Sequence, residues 1–326
     1  MTEQYDEQGR LRHLLTLKGL SSRQIVDLLD RAESFRRPSG QPPACGDALA
    51  GRSVANLFFE PSTRTRASFE LAAKRLGADV LNLDVRSSSR AKGESILDTI
   101  FTLQAMQCDI FVVRDAQAGV PDYIVEHVAD HVHVLNAGES HVSHPTQGLL
   151  DVMTIRHHKP DIDRLVVTIM GDIKHSRVAR SAAQALDTLG VRELRLVGPA
   201  TLMPDAAEFP GARILSDADE SVTDADVVMT LRIQKERMTE SDIPDTDEYF
   251  RLYGMNERRL ALARPDAIVM HPGPMNRGVE ISPQVADGPQ SVIREQVGNG
   301  VAVRMAVMDI VAERLSDFSR AGGDPS

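Results

Sequence analysis

Two kinds of apolar pattern alternate along this chain. Short unbroken apolar runs are separated by longer segments in which apolar residues return every third or fourth position. The clearest segment of the second kind follows "SVANLFF" at 53–59. There Phe69, Ala72, Ala73 and Leu76 fall at i, i+3, i+4 and i+7, and Gly77 ends the run. That spacing turns one apolar stripe toward a core, and a glycine past the last turn is a common helix stop. The unbroken runs predict strands covered on both faces. They are "SVANLFF", "DVLNL" (79–83), "CDIFVVR" (108–114) and "VHVLNAG" (132–138), then "RLVVTIMGD" (164–172), "ELRLVGP" (193–199), "ADVVMTLR" (225–232) and "DAIVMHPG" (266–273).

Between these runs the pattern predicts helices over "SILDTIFTLQAM", "PDYIVEHVA", "HPTQGLLDVMTIRHH" and "RVARSAAQALDTLG". Before them, Ser21 and Ser22 cap a helix over "RQIVDLLDRAESF", followed by a proline- and glycine-rich loop, "RRPSGQPPACGDALAGR". The acidic stretch "TESDIPDTDE" reads as a surface loop without chemistry. Strand–helix alternation predicts an α/β fold with parallel sheets. The pattern restarts near residue 144, which predicts two doubly wound parallel-sheet domains, 1–144 and 145–297. The final helix, around "NGVAVRMAVMDIVAERL", has an apolar face with nothing left to cover in the second half. We therefore expect 298–326 to pack back on the first domain. No internal repeat, coiled coil or low-complexity tract is visible.

Composition narrows the function. A length of 326 residues fits about two domains. Hydrophobic content of 42% with 26% charged residues is that of a globular protein. No run approaches the ~18 apolar residues of a membrane span. The start, "MTEQYDEQGR", is polar and acidic, unlike a signal peptide. Cys45 and Cys108 are far apart and have no neighbouring cysteine to form a metal clip or redox motif. A cytoplasmic protein is expected. Formal net charge is -10 and the pI is near 5.5, which argues against nucleic acid or an anionic membrane as partner. An anionic ligand would have to be met by local arginines, which is feasible because salt limits exposed charges to about 8 Å.

Such arginines lie where ligands bind parallel sheets, beyond the carboxyl ends of the strands. After 54–59 come Ser62, Thr63, Arg64 and Thr65, at the start of the helix just described. The first N–H groups of a helix have no internal partner and carry partial positive charge, so a phosphate fits there. A simple cap would account for one hydroxyl. It would not account for Arg64 among three. The other strand ends lead to Ser87–Ser88–Ser89–Arg90–Ala91–Lys92–Gly93, to Arg114, to His144–Pro145–Thr146–Gln147, to "GDIKHSR" with Arg177, to "LRIQKER" with Arg232 and Gln234, and to "HPGPMNRG". Cations, amides and hydroxyls dominate, and these loops hold no cysteine nucleophile, Gly-x-Gly-x-x-Gly or Walker lysine motif. The set suits anion binding and carbonyl polarisation.

"FFEPSTRTR", "HPTQGLLD", "GDIKHSR", "LRIQKER" and "HPGPMNRGVEI", in this order over nearly the whole chain, resemble the motif set of the aspartate carbamoyltransferase catalytic chains. The pentapeptide 62–66 and "HPTQ" are shared with ornithine carbamoyltransferases. The ornithine branch carries a cysteine in an "HCLP" motif where this chain reads His271–Pro272–Gly273–Pro274. The resemblance implies a carbamoyl-phosphate domain followed by an aspartate domain. It implies that Ser62, Thr63, Arg64, Thr65 and Arg114 hold the phosphate, and that His144 and Gln147 meet the carbamoyl end. Arg177, Arg232 and Gln234 would hold the carboxylates of aspartate, and the backbone of Pro272 and Gly273 would orient both substrates. Ser88 and Lys92 would reach into the neighbouring subunit's site, so that active sites are shared within a homotrimer. Arg64, Thr65 and His144 would serve the developing oxyanion, and no metal or organic cofactor would be needed. The product would be N-carbamoyl-L-aspartate, for de novo pyrimidine biosynthesis.

In that family trimers stand alone, join zinc-containing regulatory chains, or join dihydroorotase-like chains. The stretch before Leu14 and the wording from 271 onward are nearer to the last group. Two other readings stand beside this one. They are a carbamoyltransferase for another amino acid such as ornithine, and a dinucleotide-binding protein built on "VVTIMGD", which lacks the glycine fingerprint. A metal site among His127, His131, His133, His141 and His144 lacks carboxylate or thiol partners at ligand spacing. His127, His131 and His133 are expected to be solvated or at the edge of the core.

Overall fold

This computed structural model describes residues 4–38, 40–83, 95–234 and 245–321. The chain forms two compact units. One comprises Met1–Gly19, Val26–Thr146 and Asn299–Ser326, the other Leu20–Ile25 and Gln147–Gly298. Among the described residues no helix is long and apolar enough to cross a membrane.

The first helix, α1 (Ser22–Phe35), starts with a reciprocal cap. The Gln24 N–H donates to Ser21 Oγ at 3.3 Å, and Gln24 Oε1 accepts the Ser21 N–H at 2.9 Å. The first unit then alternates strand and helix: β1 (Ser53–Phe58), α2 (Thr63–Arg75), β2 (Asp79–Leu83), α3 (Ile96–Ala105), β3 (Ile110–Asp115), α4 (Val120–Val125) and β4 (His133–Glu139). The strands are parallel, in the order β2-β1-β3-β4. β1, β3 and β4 are buried almost throughout, as their unbroken apolar runs require. Leu57, Phe111, Val113 and Val134 pack with Ile100 of α3 and Ile124 of α4 into one core.

The second unit repeats the plan with α5 (Pro145–His158), β5 (Val166–Met170), α6 (Arg177–Thr188), β6 (Glu193–Val197), β7 (Ala212–Leu215), α7 (Ala218–Val222), β8 (Val227–Thr230), α8 (Thr246–Tyr253), α9 (Glu257–Leu260), β9 (Ile268–Met270) and α10 (Pro283–Ala286). Its parallel order is β7-β6-β5-β8-β9. Met170, Val197, Val222, Val228, Val269 and Ile281 share its main core. Two features depart from the sequence reading. β7 has no apolar run to announce it, because it lies at the sheet edge with Arg213 and Ile214 exposed. The acidic stretch is not loop to its end: Asp245 caps α8, accepting the N–H groups of Asp247 and Glu248 at 3.1 and 2.9 Å, and acidic side chains suit that helix start. Residues 239–244 of that stretch lie outside the described residues.

The last helix, α11 (Ile293–Ala321), contributes its residues from Asn299 onward to the first unit, as the unmatched apolar face suggested. There the Arg304 guanidinium lies 4.9 Å above the Phe69 ring. Arg31 pairs with Asp309 and, at 2.7 Å, with Glu313. Arg52 donates to the Leu315 carbonyl at 2.9 Å and pairs with Asp109 at 3.0 Å.

His133 is not a core-edge residue: it is fully buried, as is His13. His13 Nδ1 accepts the Val134 N–H at 3.0 Å, and His133 Nδ1 bonds the Arg12 carbonyl at 2.6 Å. These contacts fix the tautomers. His13 carries its proton on Nε2 and His133 on Nδ1. Burial, reinforced by the nearby charges of Arg12 and Arg314, pushes His13 down to about 2 and His133 down to about 4.

Two predictions follow from this packing. Both histidines titrate near 6.5 when unfolded, so the unfolded chain binds more protons below that pH and stability falls there. Each histidine should contribute a slope of about 1.4 kcal/mol per pH unit, for His133 over roughly pH 6.5 to 4. Denaturant unfolding of wild type and of His13→Gln/His133→Gln across pH 4–7.5 checks this. The double variant should be weaker at pH 7.5 but flatter below 6.5, and equally steep limbs would refute the assignment. Gly171 is the second test. It has φ +128, and a Cβ there would lie 2.5 Å from the Leu231 carbonyl oxygen. We expect Gly171→Ala to cost more than about 2 kcal/mol in the same measurement.

Candidate active site

In both sheets the strand order reverses once. β1 leads outward to β2 while β3 leads the opposite way to β4, and β5 leads to β6 and β7 while β8 leads to β9. At such a switch point the loops leaving two adjacent strands diverge and open a crevice at the carboxyl edge. The described residues among those singled out in the sequence follow strands of these two sheets.

At the first edge, Phe58 and Arg114 are register partners at the ends of β1 and β3. The Phe59 N–H donates to the Arg114 carbonyl at 2.8 Å. The chain then turns through Glu60 and Pro61 to Ser62, the N-cap of α2, in extended conformation. Ser62 makes no side-chain cap bond, and no acidic residue lies in the first turn. Thr63 and Arg64 are exposed and Thr65 is buried. A helix start with hydroxyls, an exposed guanidinium and no carboxylate of its own is suited to an anion. The buried Arg114 is held from two sides. Its Nη1 donates to the Ala137 carbonyl at 3.2 Å, and Nη2 lies 3.5 Å from Glu60 Oε2.

His144 is buried immediately before α5. The turn that carries it is fixed by Glu139, a residue the sequence reading passed over. Glu139 Oε1 accepts the Gly119 N–H, and Oε2 accepts Asn136 Nδ2 at 3.1 Å. Its own N–H donates to the Ser143 carbonyl at 2.8 Å. Ser143 Oγ and Asn136 Nδ2 both donate to the Leu15 carbonyl, at 3.1 and 2.8 Å. Gln147, one turn further, is buried and donates through Nε2 to Asp151 Oδ1 at 2.9 Å. Ser88 and Lys92 lie outside the described residues.

At the second edge, Gly171 ends β5 and brings the backbone against Leu231. Asp172 follows, fully buried. Its Oδ1 bonds His175 at the backbone N–H (3.2 Å) and at ring Nδ1 (2.9 Å), and its Oδ2 accepts the Gln234 N–H at 3.2 Å. Gln234 Nε2 returns a bond to the His175 carbonyl at 3.0 Å. One carboxylate thus stitches the loop after β5 to the loop after β8. Arg177 opens α6 behind the Ser176 cap, which accepts the Ala179 N–H at 3.1 Å. Arg177 is buried and Arg232 half-buried. One Gln234 N–H is used by His175, which leaves its second amide hydrogen for a ligand.

The "HPGP" turn leaves β9. The Gly273 N–H donates to His271 Nδ1 at 2.7 Å, which puts the ring proton on Nε2, facing Glu280 Oε1 at 3.2 Å. Glu280, buried, also accepts the Asn276 N–H. Gly273 sits at φ +67, a conformation natural to glycine, and Pro272 and Gly273 are half-buried. Asp172 and His271 had one sequence signal: each stands just beyond a parallel strand end, where a buried acid or imidazole has backbone to hold; Glu280, ten residues past β9, had none.

Among the described residues one trio has metal-ligand atoms within 4.8 Å, His157, His158 and Glu295. It lies at the end of α5 and the start of α11. Each Glu295 oxygen bonds one imidazole, so the three groups already engage one another by hydrogen bonds.

Comparison with known proteins agrees with this geometry. Residues 12–157 match the model of the aspartate/ornithine carbamoyltransferase carbamoyl-P binding domain, and 163–311 match that of the Asp/Orn binding domain. An aspartate transcarbamoylase from Trypanosoma cruzi, in complex with carbamoyl aspartate and phosphate, is 30% identical with a TM-score of 0.80, covering 91% of this chain and 94% of that one. The same enzyme with N-(phosphonacetyl)-L-aspartic acid is 31% identical with a TM-score of 0.79 over 91% and 94% of the two chains. Ornithine carbamoyltransferase from Thermus thermophilus shares the fold at 24% identity, with a TM-score of 0.81 over 92% and 98%. Two parallel sheets with cation-lined switch points and both domain models matched in order place the chain in the aspartate/ornithine carbamoyltransferase family.

Proposed function

We propose that this chain transfers the carbamoyl group of carbamoyl phosphate to the α-amino group of L-aspartate, giving N-carbamoyl-L-aspartate and phosphate. The observation that carries this reading is the second switch point. It ends in two arginines, Arg177 and Arg232, and its "HPGP" turn has no cysteine. Two cations match the two carboxylates of aspartate and would repel the ammonium of ornithine. Relatives of this chain are known in complex with carbamoyl phosphate, with aspartate and with both.

In this reading the phosphate sits on the start of α2, held by Ser62, Thr63, Arg64 and Thr65, with Arg114 adding charge. His144 and Gln147 meet the carbamoyl group. Arg177, Arg232 and Gln234 hold aspartate, and the backbone of Pro272 and Gly273 orients the amine. The amine attacks the carbonyl carbon, a C–N bond forms, and the carbonyl oxygen becomes an oxyanion. Arg64, Thr65 and His144 stabilise it with donors aimed at that oxygen. The C–O bond to phosphate then breaks as the attacking nitrogen gives up a proton to the leaving phosphate, and the helix start and the arginines take up the growing charge. Alignment of the two substrates supplies much of the remaining acceleration. We further propose a cytoplasmic homotrimer feeding pyrimidine biosynthesis, with Ser88 and Lys92 of each chain completing a neighbour's site.

Arg64 is exposed at a helix start, so Arg64→Ala leaves no cavity. The variant should lose on the order of 10² to 10³ or more in turnover while unfolding within about 0.5 kcal/mol of wild type. A near-normal rate at saturating substrates would remove the phosphate assignment. Product analysis with each acceptor tests the second half of the proposal. Carbamoyl-aspartate should form, and citrulline from ornithine at a comparable rate would contradict it. Sharing of sites predicts that inactive Arg64→Ala and Lys92→Ala chains regain activity when dissociated and reassembled together. No gain in demonstrably mixed trimers would place Lys92 in its own subunit's site.

A further inference from the structure

Asp151 is fully buried on α5, one turn beyond Gln147. Its Oδ1 accepts two side-chain amides: Gln147 Nε2 at 2.9 Å and Gln296 Nε2 at 2.6 Å. A carboxylate oxygen only accepts, so each glutamine must turn its NH₂ toward Asp151 and its carbonyl oxygen away. For Gln296 the result is visible, since its Oε1 accepts the backbone N–H of His271 at 3.0 Å. His271 in turn receives the Gly273 N–H on Nδ1. For Gln147 the same logic leaves Oε1 as the end offered to a ligand. An amide held this way turns its NH₂ end toward Asp151 and presents its acceptor oxygen to a ligand.

From this we infer that Asp151 is a specificity-determining positioning residue. By fixing the rotation of the Gln147 amide, it makes the site require a ligand that donates an N–H beside its carbonyl. The inference rests on the carbamoyl-phosphate reading and deepens it. Carbamoyl phosphate carries an NH₂ on its carbonyl carbon, and acetyl phosphate carries a methyl of similar size in the same place. Both present the same phosphate and carbonyl, so only the NH₂ can distinguish them at Gln147. Without Asp151 the Gln147 amide can rotate, and the preference for an N–H donor disappears. The second amide on the same oxygen, Gln296, holds the turn that leads to Gly273 and plays no part in this choice.

The experiment is a pair of binding constants, for carbamoyl phosphate and for acetyl phosphate, measured by calorimetry on the intact protein. Wild type should prefer carbamoyl phosphate. Asp151→Leu, close in volume but without an acceptor, should reduce that preference about tenfold, the scale of one net hydrogen bond, with acetyl phosphate affinity little changed. Asp151→Asn keeps an acceptor oxygen and should recover the preference. Gln296→Leu breaks the hold on His271 but leaves Gln147 on Asp151, so its ratio should match wild type even if its KM for aspartate rises. Adding Asp151→Leu to Gln147→Met should change the ratio no further than Gln147→Met alone. If Asp151→Leu yields no folded protein, Asp151→Ser replaces it. An unchanged ratio, or an equal loss for both ligands, overturns the inference. A wild type that binds neither phosphate refutes the functional reading instead.

Discussion

The reversal of strand order in each sheet governs the rest of the molecule. A parallel sheet with one reversal must have two adjacent strands whose outgoing loops part company. Here those pairs are β1 with β3 and β5 with β8, tied by register partners such as Phe58 with Arg114 and Met170 with Thr230. Once these ladders form, the chain has little freedom in where it puts Ser62, Arg114, Arg177 and Arg232. The same closeness constrains the backbone: Gly171 and Leu231 meet where the second pair ends, and only a residue without a Cβ fits.

Four buried acids then convert strand ends into shaped loops. Glu139 holds the turn before His144, Asp172 joins the loops of β5 and β8, Glu280 steadies His271, and Asp151 orients two amides. Each takes N–H donors that would otherwise be orphaned in the interior. These acids lie in the interior, bonded to backbone and side-chain N–H groups, while Arg64 at the start of α2 is exposed.

Much of this was legible in the sequence, for definable reasons. Strands buried on both faces read as unbroken apolar runs, and α2 carried a clean stripe closed by Gly77. β7 escaped because an edge strand of four residues with exposed Arg213 and Ile214 leaves no periodic trace. α8 escaped because the acids that cap it resemble loop composition. His133 was misjudged because alternation with His131 shows only which residues share a face. It does not show that His133 meets Arg12 and His13, residues far away in the sequence. The ligand-facing residues stood out as hydroxyls and cations after strands. Their supports did not, because a buried acid is recognisable only by the distant backbone it holds.

The assignment of the last helix to the first unit has a consequence for biosynthesis. Residues Gln147–Gly298 form nearly all of the second unit, and its other piece, Leu20–Ile25, comes earlier in the chain. That unit is therefore complete as soon as residue 298 has left the ribosome. The first unit is not, although most of it is made before the second. It still lacks Asn299 onward, with the Arg304 that covers Phe69 and the Asp309 and Glu313 that meet Arg31. Domains generally fold in the order of synthesis. Here the first unit cannot finish its packing before the second, because the segment that places Arg304 over Phe69 follows the whole of the second unit along the chain.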